Sequence, residues 1–126
     1  MKKWFKQDNS PETKLRIEVY EQNLDIINKG SYQTESGKTI QLADRELILY
    51  GTEMYDSPFE HHSEITTTNT ITGTIEADCL HVSKALIDKG WNPAVLNLAD
   101  EKLAGGWVHG GSRAQEEELC RRTTLM

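Results

Sequence analysis

The 126-residue sequence predicts an α/β protein. Three observations carry that expectation: apolar residues at helical spacing in two separate stretches, a short wholly apolar run that reads as a buried strand, and a glycine-rich loop that joins this run to a further helix. A strand, a helix, a second strand, a glycine loop and a helix in that order imply a parallel-type α/β unit. The length suits one domain, and residues 1–9 read as a flexible arm ahead of it, polar apart from Trp4 and Phe5.

The first helix is expected over 11–28. Ser10 caps it, Pro11 takes the first helical position and Glu12 adds an acid to the first turn. Ile17, Tyr20, Leu24 and Ile27 form one apolar stripe, and Gly30 ends it. Two β-prone runs, Ser31–Thr34 and Thr39–Leu42, surround a turn with Gly37 and predict a hairpin. Leu47-Ile48-Leu49-Tyr50 reads as a short strand in an otherwise ambiguous stretch, and Tyr55 to Pro58 as loop. Six threonines between Thr66 and Thr74 favour a strand near 63–69. Ile75, Cys79, Val82 and Leu86 predict a helix over about 74–89, stopped by Gly90. Pro93 to Ala99 is the buried strand, 104–111 the glycine loop, and the last helix starts near Ala114.

The composition excludes several functions. The formal net charge is −6, which argues against long-range attraction to nucleic acid, so an anion would have to be held by local backbone donors. No stretch approaches the ~20 apolar residues of a membrane helix, and the start lacks a secretory apolar core. Cys79 and Cys120 are the two cysteines, far apart and outside any CxxC pattern, as for free thiols in a reducing cytoplasm. A cytoplasmic protein without membrane or nucleic-acid partners is expected.

The chemistry concentrates between Asn97 and Arg122. Glycines at 105, 106, 110 and 111 let a backbone approach a ligand closely, at the strand end where α/β sheets bind theirs. Gln115-Glu116-Glu117-Glu118 follows. Acids in the first turn are ordinary helix capping, but directly after a glycine loop they also suit work on a sugar, where a carboxyl protonates a glycosidic oxygen. Neighbouring helical residues point about 100° apart, so Glu116 and Glu117 would divide the work. Other candidates are weaker. Glu60, His61, His62 and Glu64 lack the spacing of known zinc motifs. His81 reads as surface or core, and His109 falls inside the glycine loop, where ligand contact is the weaker of its readings. Cys79 reads as a core hydrophobe, and Cys120 has no histidine to activate it.

Leu96-Asn97-Leu98-Ala99, then Gly105-Gly106-Trp107, seven residues, then Gln115-Glu116-Glu117 and Leu119-Cys120-Arg121 resemble, without a gap, the signature of the microbial-type poly(ADP-ribose) glycohydrolase catalytic domain. The resemblance is strongest over 93–125 and extends more loosely over most of the chain. It implies a macrodomain-like mixed sheet with flanking helices, of which this chain holds the N-terminal half. The missing half would carry further strands, a second phosphate loop and an adenine-stacking aromatic, so a fragment, a split gene or a truncated relative with a complementing C-terminal half is expected. By this resemblance Glu117 is the general acid on a ribose–ribose O-glycosidic bond, and Glu116 holds the ribose hydroxyls. Gln115 supports the geometry, Gly105 and Gly106 lie against the diphosphate, and Asn97 and Ala99 line the distal ribose. The ligand is ADP-ribose or poly(ADP-ribose), with no metal and no cofactor. Trp107 stands where the family has a third glycine, and Ala104 where proline is common. A ring at 107 obstructs the path unless it swings outward or the loop slips by one residue. A non-catalytic ADP-ribose-binding module and an inactive remnant stand beside the hydrolase as alternatives.

Overall fold

The computed structural model describes residues 8–57 and 70–125. The chain divides into two compact units, one of Met1–Leu49 with Asn97–Met126 and one of Tyr50–Leu96. Most of the expected arm, the strand near 63–69 and the Glu60–Glu64 cluster lie outside the described residues.

The first unit is built on α1, Pro11–Lys29. Its start is fixed as its residues dictate: the Ser10 hydroxyl accepts from the Thr13 N–H at 3.2 Å, and Asp8 accepts from the Ser10 N–H and from the hydroxyls of Ser10 and Thr13. Gly30 ends the helix with φ 67°, its N–H donating to Ile27 O. The hairpin follows as expected, with β1 (Ser31–Gln33) and β2 (Thr39–Gln41) antiparallel and Tyr32 opposite Ile40. Gly37, at φ 78°, makes the left-handed turn between them.

Leu47 to Tyr50 is not a strand: it belongs to the short helix α2, Arg45–Tyr50. The Asp44 carboxylate accepts from the Glu46 N–H at 2.9 Å and its carbonyl accepts from Ile48. That capping decides the backbone locally, against the strand preference of the apolar run.

The second unit contains α3, Cys79–Ile87. It begins later than the periodicity predicts, because the Asp78 side chain accepts from the N–H groups of Leu80 and His81 and so sets the first turn there. Gly90 lies beyond its end at φ 83°, and the Trp91 N–H closes back on Leu86 O. None of the described residues of this unit is buried, and Cys79, expected in the core, is half-buried.

The expected buried strand over 93–99 is not one. The segment has no strand pairing, and Leu96 and Leu98 are 75% and 68% exposed. A strand exists only as a ladder with a neighbour, and the two described strands pair with each other alone. The chain is therefore mixed α/β, with four α-helices and a two-stranded antiparallel sheet among the described residues.

The core lies in the first unit, where Tyr20 and Leu24 of α1 pack on Val108 and Cys120. Val108 opens a 3₁₀ turn, Val108–Gly110, inside the glycine loop, and Cys120 sits in α4, Gln115–Arg122. Gly111, at φ 78°, lets the loop press on α1, since a Cβ there would lie 2.7 Å from Thr13 Cγ2 and 2.8 Å from Thr13 O. Two side chains tie the ends of the motif to α1. Arg16 Nε donates to Gly111 O at 2.6 Å, and Asn23 Nδ2 donates to the carbonyls of Cys120 and Thr123 at 2.8 and 2.9 Å.

Candidate active site

Helix α4 is short and has no side-chain cap at Ala114. Its first turn is held instead from the preceding segment. Gln115 Oε1 accepts from the Leu98 N–H at 2.7 Å. Both oxygens of Glu116 are engaged, Oε2 with the Asp100 N–H at 2.7 Å and Oε1 with the Gly105 N–H at 2.9 Å. Glu117 Oε1 accepts from the Trp107 N–H at 3.0 Å. Glu116 and Glu117 are each only 6% exposed. The loop thus wraps two carboxylates and satisfies them with its own amides, which is what buried charge requires.

This gives the loop glycines a physical task different from the one expected of them. The Gly105 and Trp107 N–H groups point to carboxylates, and the Gly106 N–H donates to Leu103 O. None of the three is left for a phosphate. Gly106, at φ 54°, is required because a Cβ there would lie 2.7 Å from Glu117 Oε1 and 3.2 Å from Glu116 Oε2. Any contact of Gly105 and Gly106 with a ligand is close approach of bare backbone rather than amide donation.

Burial pushes the Glu117 carboxyl up, but the N–H groups of Trp107 and of Glu117 itself, the Ser112 hydroxyl and Arg121 outweigh it and hold the group below its ordinary 4.5. Arg121 is 4% exposed, and its Nη2 donates to Ser112 O and to Glu118 Oε1 at 2.5 and 2.7 Å. Glu118 is the partly exposed half of that pair. Burial, and then the charges of Glu116 and Glu117, push the Cys120 thiol up, so it stays protonated and inert.

Asn97 and Ala99 line a cavity of about 420 Å³ together with Gly105 and Glu116. The Asn97 Oδ1 is buried without a hydrogen-bond partner. Trp107 does swing outward: the residue is 57% exposed, and its ring lies against His109, centroids 4.5 Å apart. The roles of Arg16, Asn23 and Val108 are not evident from the expected elements. Only Val108 carried a signal, as a β-branched apolar residue amid glycines.

Among known proteins, the chain falls with glycohydrolase catalytic domains. The family model that matches is the microbial-type PARG catalytic domain, over residues 20–126, and the chain belongs to that family. No curated protein and no solved structure matches it. The family is that of poly(ADP-ribose) glycohydrolases, so an ADP-ribose polymer is its substrate class. Among the described residues no helix is long and apolar enough to cross a membrane.

Proposed function

We propose that this chain binds the ADP-ribose end of poly(ADP-ribose), or of a related ADP-ribosyl conjugate, and hydrolyses the ribose–ribose O-glycosidic bond. Glu117 is the general acid that protonates the bridging oxygen, and a water attacks the anomeric carbon. Glu116 holds the ribose hydroxyls, Gln115 keeps the first turn of α4 in place, and Asn97 and Ala99 line the distal ribose. Gly105 and Gly106 lie against the diphosphate by close backbone approach. The observation that carries the reading is the pair of buried carboxylates under bare Gly106, beside a cavity with an unpaired Asn97 acceptor suited to a sugar hydroxyl.

An acid must hold a proton when it acts, and Glu117 is ionised at neutral pH in the ligand-free chain. A bound diphosphate and the exclusion of water both favour the neutral carboxyl, so substrate would bring the proton in. Because kcat/KM follows the free enzyme, it is expected to rise as pH falls from about 8 toward 5. The same ionised carboxylate favours a second reading, a module that accepts ribose hydroxyls at Glu117 without turning the ligand over.

Calorimetric titration with ADP-ribose and a turnover assay on poly(ADP-ribose), each for the natural chain and Glu117→Gln, test both. Saturable binding with turnover lost by at least about 100-fold in the variant supports the hydrolase. Binding with no turnover in either protein supports the module, and absence of binding rejects both.

A further inference from the structure

A second cavity in the first unit, of about 760 Å³, is not part of the site above. It opens between the start of α1 and the glycine loop, and it shares no lining residue with the smaller cavity at Asn97 and Glu116. Trp107 and Ser112 line it. Both also hydrogen-bond Glu117, Trp107 through its N–H and Ser112 through its hydroxyl. The proposed acid thus bonds two residues that line the larger cavity, and its neighbour Glu116 lines the smaller one.

The chemistry of the larger cavity is specific. The Trp107 indole is held in place, because it lies where a Cβ on Gly110 would be, 1.9 Å from Nε1 and 2.2 Å from Cδ1, and because His109 packs on it. It is nonetheless more than half exposed. A fixed and largely exposed indole lining a cavity is a stacking platform for a nucleobase. Arg16 and the exposed Arg113 line the same space and supply forked donors for phosphate. Arg16 is anchored at Gly111 O and at the Thr13 hydroxyl, so it is positioned in advance. Asp8 and Glu12 also line the cavity, so no general positive field draws an anion there. Asp8, however, is engaged by Ser10 and Thr13. The volume suits one nucleotide.

We propose that this cleft is a second nucleotide subsite, which takes the adenosine diphosphate portion of the polymer unit on the leaving side of the scissile bond, the base on Trp107 and the phosphates at Arg113 and Arg16. The proposal rests on the hydrolase reading for its place in the reaction, but not for its chemistry. A chain that cuts between two units must seat both, and the residue found here in place of a third loop glycine provides the second seat.

The probe is ADP, added to the chain with and without saturating ADP-ribose, and the readout is the Trp107 indole N–H signal in a ¹⁵N spectrum. The signal is assigned by its disappearance in Trp107→Ala. ADP is expected to shift it saturably with ADP-ribose already bound, and Arg113→Ala is expected to raise the ADP Kd about tenfold. Adenosine, lacking phosphates, is expected to bind about tenfold more weakly than ADP and to be indifferent to Arg113→Ala. An unmoved Trp107 signal, displacement of ADP by ADP-ribose, or an unchanged Kd in Arg113→Ala overturns the subsite. If ADP shifts Trp107 while the polymer stays uncut, the hydrolase reading fails, and with it the leaving-side assignment, but the nucleotide cleft stands.

Discussion

Helices α3 and α4 are close in length, nine and eight residues, but they are made in opposite ways. Helix α3 has what an isolated helix needs: Asp78 caps its first turn, Lys84 pairs with Asp88 at 2.6 Å, and its own residues include six apolar ones. Yet it buries none of them. Helix α4 has no side-chain cap and carries three successive glutamates in its first turn, yet Glu116, Glu117, Leu119, Cys120 and Arg121 are all buried. One helix is specified by its own sequence, and the other by what folds over it. The functional carboxylates belong to the second kind, because buried charge can be held only by groups brought from elsewhere in the chain.

The sharpest way to break the contrast is Arg121→Ala. It leaves Glu117 buried without its nearby cation and Ser112 O without its donor, and the expected loss is about 3–5 kcal/mol, measured by urea unfolding followed through tyrosine and tryptophan fluorescence. Gly111→Ala comes next. The residue needs φ 78° and its Cβ would meet the backbone of α1, which cannot yield as a flexible side chain would, so about 2–3 kcal/mol is expected in the same measurement.

Acid should act on the first unit in particular. The Glu117 pKa is depressed in the folded state, so its contribution to stability is complete above the ordinary 4.5 and is lost as pH falls through the lower folded value. Thermal melts from pH 7 to 3 are expected to show the fall begin near pH 5, and to show less of it in Glu117→Gln. The smallest effect should come from α3. Asp78→Ala removes the acceptor for Leu80 and His81, costs that helix about 1 kcal/mol, and is expected to reduce helical chemical shifts in 79–87 without moving the unfolding of the α1–α4 unit.

The same contrast explains what could be read from the residues alone. Helix α1 and the hairpin were legible because their signals are local: Ser10-Pro11 and Gly30 at the two ends, Gly37 between two β-prone runs. The resemblance that marks the family was legible from residues 96–121 alone. Three readings failed where the deciding partner is a side chain or a strand that no window of sequence specifies. Asp44 turned Leu47–Tyr50 into a helix, and Asp78 delayed the start of α3. The apolar run at 93–99 has composition enough for a buried strand, but pairing is a relation between segments, and no described strand lies beside it. The contacts that shape the site are longer still in sequence, Arg16 to Gly111 and Asn23 to Cys120. Nothing in the neighbourhood of residues 16 or 23 announces them.

The amides of Asp100 and Gly105 each donate to one oxygen of Glu116, and a carboxylate oxygen has room for a second donor. A sugar hydroxyl that reaches Glu116 would therefore add its bond beside the loop amide instead of displacing it. Hydrogen exchange is expected to show this as a Gly105 N–H that stays protected whether the site is empty or filled. The loop is set before any ligand arrives, so little ordering remains to be done on binding.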